Sequence, residues 1–146
     1  WNKSLIFVLR GNPPILPPGC EIPVAALGFR YLGIFITPDP NLFYQRNLLP
    51  PLLRFQADAT HWQTLPLSLL GRAGLYKMMT LPRFIYILQN TPYKIHKSYF
   101  QRINGVLRTL LWNGGSPRIA LPKLMKGWYD GGIPFPDIQS YYWGHN

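Results

Sequence analysis

The longest helix-compatible apolar stretch of the chain, residues 65–86, reads LPLSLLGRAGLYKMMTLPRFIY and contains three cations but no acidic residue. We predict a helix that begins near Leu65, is bent but not ended by Pro82, and continues to about Gln89, before a turn at residues 90–92. At about 100° per residue, Arg72 and Arg83 then lie on one side of the helix, whereas Lys77 lies about 140° around it from Arg72. An apolar helix that carries such a line of positive charge suits a polyanion lying alongside it.

The basic character of the chain comes from a shortage of acids. Its 15 lysines and arginines against 5 acidic residues give a formal net charge of +10, although only 14% of the residues are charged. Ordinary domains are nearer to about 25% charged. The sequence is therefore apolar, aromatic and of one charge sign, which indicates a nucleic acid or an anionic membrane surface as the partner.

The residues that catalysis would need do not form a recognisable pattern. No D-x-D or D-D pair is present to begin a two-metal site, and no two acids share a predicted helix face. Cys20 has no second cysteine to pair with, and the three histidines lack the spacing of metal ligands. No serine lies in a nucleophile elbow, and GRAG at 71–74 is not a phosphate loop. We therefore predict that no active site, metal site or cofactor site is completed within these residues.

The sequence also predicts an intracellular protein without a transmembrane segment. No window of about 18 residues is free of both charge and proline. No basic start, apolar centre and small-residue cleavage site mark a secretory signal. The chain begins at Trp1 rather than at an initiator methionine, so we expect a fragment of a longer protein. Nothing in the sequence indicates an oligomeric state.

Two strands are predicted near the N-terminus. Residues 4–9 (SLIFVL) and 29–36 (FRYLGIFI) are rich in strand-forming residues. Residues 12–23 between them hold five prolines, which predicts an extended loop. Both faces of the second strand are apolar, so we predict that it is covered, with Gly33 marking a bulge or a close approach.

Residues 41–62 have apolar residues at helical spacing, interrupted at Pro50 and Pro51. We predict a short helix to about Leu48 and a second helix that begins at Pro51, where the missing N–H of proline is harmless. The tryptophans at the ends of apolar stripes are expected to close the core, as large aromatic residues usually do; they are Trp62, Trp112 and Trp128.

The clearest amphipathic helix is predicted at residues 95–112, with Lys97 and Arg108 on its outer line. A turn at 113–117 follows, and then an extended basic segment that ends in a helix capped by Asp137. The predicted fold class is therefore α+β and mainly α: two short strands, a bundle of three or four helices, and an extended basic C-terminal segment.

Seven short motifs occur in an order and at a spacing that chance does not explain. They are NKS at 2–4, FRYLGI at 29–34, Trp62, LSLLGRAGLYKMMTLPRFIY at 67–86, LLW at 110–112, PRIAL at 117–121 and GGIPFPDIQSYY at 131–142. Together they resemble the reverse transcriptases of LINE-type, L1-like non-LTR retrotransposons. The resemblance spans nearly the whole chain and concerns the part of the polymerase that follows its catalytic aspartates.

The resemblance implies three segments: the end of the palm at 1–40, a helical thumb at 41–113, and the start of a connecting segment at 114–146. The NKS motif implies an accessory role for Lys3 near the incoming nucleotide. The YLG motif, Tyr31, Leu32 and Gly33, resembles the primer grip, which positions the growing 3′ end.

The resemblance also places the cations of the long helix, Arg72, Lys77 and Arg83, against the template-primer duplex. From their charge and position alone, further contacts to nucleic acid are expected at Lys97, Arg108, Arg118, Lys123 and Lys126. These contacts are to the backbone of an RNA–DNA or DNA duplex and do not depend on its sequence.

The two adjacent aspartates of such polymerases are absent, so this part is not expected to polymerise alone. Mg²⁺ and a location in nucleus and cytoplasm are implied only for the full-length polymerase. Two other interpretations stay open: a free-standing basic module that binds RNA or has a structural role, and a peripheral membrane binder. The individual cations can also be solvated surface charges.

Overall fold

The structure, a computed structural model, describes residues 4–8, 11–133 and 136–145. The chain divides into two compact units, Trp1–Leu49 and Pro50–Asn146. Two short strand pairs and a larger number of helices make it α+β and mainly α, as the sequence predicted. The division into palm, thumb and connecting segment stays a prediction.

The described residues of the first unit, 4–8 and 11–49, contain four short strands instead of the two predicted. Strand β1 (Ile6–Phe7) pairs in parallel with β2 (Val24–Ala25), and β3 (Phe29–Tyr31) pairs antiparallel with β4 (Ile34–Ile36). Residues 11–23 form no helix or strand, so the predicted extended loop is confirmed. Leu9, the end of the first predicted strand, lies outside the described residues. A strand as short as β2 leaves no alternation for sequence reasoning to detect.

The single strand predicted over residues 29–36 is wrong, because these residues form a β-hairpin. Leu32 and Gly33 at its tip have φ of 47° and 84°, and positive φ at both central residues is the geometry of a type I′ turn. Gly33 therefore provides a tight turn rather than a bulge. Tyr31 and Leu32 are 60% and 72% exposed, so the predicted covering of both faces is also wrong.

Asn47 holds the outer edge of this hairpin. Its buried carboxamide accepts a hydrogen bond from the Phe35 N–H at 2.7 Å and donates one to the Phe35 carbonyl at 2.8 Å. Both backbone groups of Phe35 point away from β3, so they would otherwise be unpaired at a strand edge. The guanidinium of Arg46 lies 5.4 Å from the centroid of the Phe35 ring.

The helical break predicted at Pro50 and Pro51 does not occur. Helix α1 (Pro40–Phe43) is followed directly by a π-helical turn (Tyr44–Leu48) and then by α2 (Leu49–Gln63). The N–H of Leu49 bonds to the Tyr44 carbonyl five residues back. A single π turn adds one residue to a helical turn and absorbs a local disruption without ending the helix.

In the second unit the same arrangement occurs in the long helix. Helix α3 (Leu69–Leu75) continues through a π turn (Tyr76–Thr80) into α4 (Leu81–Gln89). The helix therefore passes Pro82 and ends at Gln89, as predicted. It begins later than residue 65, because the Ser68 hydroxyl accepts the Gly71 N–H at 3.1 Å and so caps the first turn.

Helix α5 (Lys97–Leu111) is amphipathic as predicted, and its inner residues are buried: Phe100, Ile103, Leu107, Leu110 and Leu111. Aromatic rings link it to the rest of the second unit. Phe84 of α4 contacts Phe55 and Tyr99, with ring centroids 6.1 and 6.3 Å apart. Phe100 contacts Tyr142 at 5.4 Å. The core therefore depends on aromatic residues from four helices.

The C-terminal segment is more helical than predicted. It contains the short helix α6 (Leu121–Leu124), a 3₁₀ turn (Trp128–Asp130) and helix α7 (Ile138–His145). The predicted cap is confirmed, since Asp137 accepts the N–H groups of Gln139 and Ser140. Trp62 is buried and Trp112 half-buried, but Trp128 is 68% exposed, so its predicted place in the core is wrong.

Candidate nucleic-acid interface

The predicted contact residues of the first unit lie at the tip of its hairpin. Tyr31, Leu32 and Gly33 are all exposed there. A leucine with positive φ costs about 1–2 kcal/mol, and at 72% exposure Leu32 gains little packing in return. Such strain is frequent at functional sites. Lys3 lies outside the described residues.

In the second unit, two of the predicted cations line one open cavity of about 510 Å³. We call it the arginine pocket, and its lining residues are Leu69, Arg72, Leu111, Trp112, Gly115, Ser116, Pro117 and Arg118. The start of α3, the end of α5 and the following turn build it. The arginine pocket therefore joins Arg72 and Arg118, which lie 46 residues apart in the sequence.

A Schellman motif shapes this end of α5. The Gly114 N–H bonds to the Thr109 carbonyl at 3.0 Å and the Asn113 N–H to the Leu110 carbonyl at 3.3 Å. Asn113 and Gly114 have φ of 51° and 76°, as the left-handed turn requires. The Leu111 carbonyl takes no part in these two hydrogen bonds. It accepts a hydrogen bond from Nη1 of Arg72 at 3.1 Å instead.

Arg72 consequently has a structural role. It ties α3 to α5 through the Leu111 carbonyl, and a cation at a helix C-terminus is favoured by the helix dipole. That dipole amounts to about half a negative charge, whereas Arg72 and Arg118 carry one positive charge each. The net field in the arginine pocket therefore favours an anion.

A second open cavity, of about 440 Å³, brings together two predicted lysines. We call it the lysine pocket, and it is lined by Lys77, Leu81, Met125, Lys126, Gly127, Pro136 and Tyr141. Lys77 comes from the π turn of the long helix and Lys126 from the segment after α6. The ring of Tyr141, on α7, is 49% exposed at this site.

Arg83, the third cation of the long helix, contacts neither pocket. Its Nη1 lies 3.5 Å from Oδ2 of Asp58 on α2, and both side chains are about one-third exposed, at 37% and 32%. Of the other acids in this unit, Asp137 caps α7 and Asp130 is exposed. The three cations of the long helix therefore have different surroundings. Arg72 bonds to the end of α5, Lys77 lines the lysine pocket, and Arg83 pairs with Asp58.

The five predicted cations of the second unit that lie outside the long helix are all exposed. They are Lys97, Arg108, Arg118, Lys123 and Lys126. Within the described part of the chain, none of these five side chains takes part in a hydrogen bond or an ion pair. Lys97 begins α5, where the helix dipole disfavours a cation. Its position therefore does not stabilise the helix.

Tyr76, one helical turn after Arg72, is fully buried in the π turn. Burial, and then the negative charge of Asp137, raise the pKa of its phenol well above the ordinary value. Its hydroxyl therefore stays protonated in the folded chain at neutral pH. This residue belongs to the core and not to a binding surface.

Sequence reasoning missed two kinds of residue near these sites. Tyr141, which lines the lysine pocket, and Trp128, which follows Lys126 closely in the sequence, are both exposed, although the sequence indicated only a capped helix and a core tryptophan. The signal that could have found Trp128 is its place between Gly127 and Gly131, where no helical or strand spacing gives it an inner face. Asn47 left no signal, because its contacts are to backbone groups.

No family model matches this chain. In the part of the chain that the structure describes, none of the helices combines the length and the apolar character needed to cross a bilayer. Among the same residues, histidines, cysteines and acids do not cluster in threes as metal ligands would.

Proposed function

We propose that this chain holds a nucleic-acid duplex by its phosphate backbone, as the thumb and adjoining segments of a LINE-type reverse transcriptase. The observation that carries the proposal is the set of five exposed cations without a described partner. A protein surface whose cations are not neutralised by its own acids attracts a polyanion and releases its counterions. The resemblance of the seven motifs supplies the kind of polymerase.

Two further observations support the proposal. The arginine pocket and the lysine pocket each join a cation of the long helix to a cation of the C-terminal segment. Distant residues that meet in this way form local concentrations of positive charge suited to phosphates. The strained and exposed hairpin tip at Tyr31 to Gly33 agrees with a contact to the primer strand, which is the role that the resemblance implies.

The proposal is tested by measuring the affinity of the full chain for a blunt RNA–DNA hybrid at several salt concentrations. If six phosphates are neutralised, the slope of log affinity against log salt is about −5. Replacement of one contacting cation, as in Arg118→Ala or Lys97→Ala, reduces the steepness by about 1 and weakens binding to all sequences alike. An RNA–DNA hybrid and a DNA duplex of equal length show which nucleic acid is preferred.

A matched control is Arg54→Ala, which removes an exposed arginine from α2 that lines neither pocket and was not predicted as a contact. This control should leave the salt slope unchanged. Absence of binding at low salt, or affinity that does not depend on salt, contradicts the proposal. An equal effect of all three substitutions shows that net charge alone, and not the described sites, attracts the duplex.

A further inference from the structure

Residues 124–133 form a closed loop at the side of the lysine pocket. The Ile133 N–H donates to the Leu124 carbonyl at 2.8 Å, and the Gly132 N–H donates to the Gly127 carbonyl at 3.3 Å. Gly132 is buried so closely against the Lys126 backbone that a side chain would collide with it, and Gly131 has φ of 75°. These contacts fix the loop as a compact unit of the Ω type.

The tip of this loop carries two large aromatic residues that the fold does not use. Trp128 is 68% exposed and Tyr129 is fully exposed, at 103% of its reference area. Large aromatic rings normally bury most of their area, and adjacent exposed ones are typical of contact surfaces. Because the loop is already closed by backbone hydrogen bonds, the two rings are available to a partner.

The lysine pocket begins at the base of the same loop, through Met125, Lys126 and Gly127. Lys77 and Lys126 supply positive charge, and Tyr141 supplies a third exposed ring. The loop and the pocket at its base therefore combine two cations with three exposed aromatic rings.

We infer that the loop tip and the lysine pocket bind single-stranded nucleic acid, with an unpaired base stacked on Trp128 beside Tyr129 and the backbone held by Lys126 and Lys77. Aromatic stacking beside a cationic groove is the general means of binding single strands without sequence preference. This inference rests on the proposed function, because the bound single strand is the unpaired strand that extends from the duplex.

The charge at the tip favours this arrangement over a membrane surface. Asp130 follows Trp128 and Tyr129 in the same 3₁₀ turn, and it is exposed. A carboxylate beside the aromatic rings repels anionic headgroups, and it also repels phosphates, so neither is expected at the tip itself. Bases carry no charge and can stack there, while the phosphates lie at the lysines of the pocket.

The test uses the full chain, an oligonucleotide that contains 2-aminopurine, and a blunt duplex of matched length. Stacking on an aromatic ring changes 2-aminopurine fluorescence, whereas charge attraction alone does not. Trp128→Ala should lower single-strand affinity at least about fivefold and abolish the fluorescence change, with blunt-duplex affinity unchanged. Lys126→Ala should lower the affinity and reduce its salt dependence. Trp128→Phe should retain most of the stacking.

Trp143→Ala is the matched control, because this tryptophan on α7 is 50% exposed and does not line the pocket. It should not affect single-strand binding, and the melting temperature of each variant checks the fold. Equal losses on blunt duplex and single strand for Trp128→Ala overturn the inference but leave the duplex proposal in place. If the chain binds the single strand but not the duplex, the duplex proposal is wrong and the single-strand site stands.

Vesicles of phosphatidylserine and phosphatidylcholine provide the remaining arm. If Trp128→Ala weakens binding to these vesicles and not to the oligonucleotide, the loop contacts membranes and the inference is wrong. If Trp128→Ala changes neither binding, the exposed aromatic residues have no part in recognition and the inference is wrong as well.

Discussion

Replacing Arg72 and Arg118 separately distinguishes the structural role of the arginine pocket from its binding role. Arg72→Met keeps the apolar stem but removes the hydrogen bond from Nη1 to the Leu111 carbonyl. A hydrogen bond with a charged donor contributes about 1.5–3 kcal/mol, and Leu111 is only 1% exposed while Arg72 is in place. We expect the free energy of unfolding to fall by about 2 kcal/mol.

Arg118→Met removes a cation from the same pocket without removing a described contact. Arg118 is exposed and its side chain has no partner among the described residues, so its replacement should change the free energy of unfolding by less than about 0.5 kcal/mol. The melting temperature should fall by about 4–8 °C for Arg72→Met and hardly at all for Arg118→Met.

Urea denaturation followed by circular dichroism, with duplex affinity measured on the folded variants, gives both quantities. Arg118→Met should lose affinity and keep stability, whereas Arg72→Met should lose stability. If Arg72→Met is as stable as the unchanged chain, the hydrogen bond from Arg72 to the end of α5 contributes nothing, and the structural role of Arg72 is refuted. If neither variant loses affinity for the duplex, the arginine pocket is not part of the proposed interface.

Two other perturbations test the fold directly. Asn47→Ala leaves the Phe35 N–H and carbonyl unpaired, each at a cost of about 1–3 kcal/mol, so the Phe35 amide should exchange its hydrogen much faster by NMR; unchanged exchange would contradict the role of Asn47. Burial and Asp137 raise the pKa of Tyr76 above its ordinary value of 10.0. The folded chain therefore keeps a proton that the unfolded chain loses, and this contribution to stability falls as the pH rises above about 10. The melting temperature of Tyr76→Phe should decline less steeply between pH 9 and 11, and an identical decline would show that Tyr76 does not contribute.

Helical spacing predicted the fold well where a helix has one apolar face. The inner residues of α5 and the end of α4 at Gln89 follow from 3.6-residue periodicity and from the turn signal after it. The hairpin was missed because its two strands continue one apolar pattern through Leu32, a residue type that rarely adopts positive φ. The π turns leave no local pattern, so the sequence predicted a break at Pro50 and Pro51, directly after the first of these turns.

The sequence identifies the candidate contact residues but does not predict their partners in the fold. Charge sign and the shortage of acids identify the cations, but their partners depend on which elements pack together. The Leu111 carbonyl that holds Arg72 lies 39 residues further along the chain, and Asp58 lies 25 residues before Arg83. No sequence spacing predicts such contacts. The exposure of Trp128 is different, because Gly127 and Gly131 on either side of its turn give a local signal for it.

The different partners of the three helix cations change where a duplex can bind. Arg72 and Arg83 each contact a group of the chain itself, so a line of free charge along the helix, which the sequence predicted, is not available. The unpaired cations lie instead at both ends of α5 and in the segment after it. A duplex that releases counterions at these positions must contact α5 and residues 118–126. Lys97→Ala and Arg118→Ala should therefore reduce the salt dependence more than Arg83→Ala does.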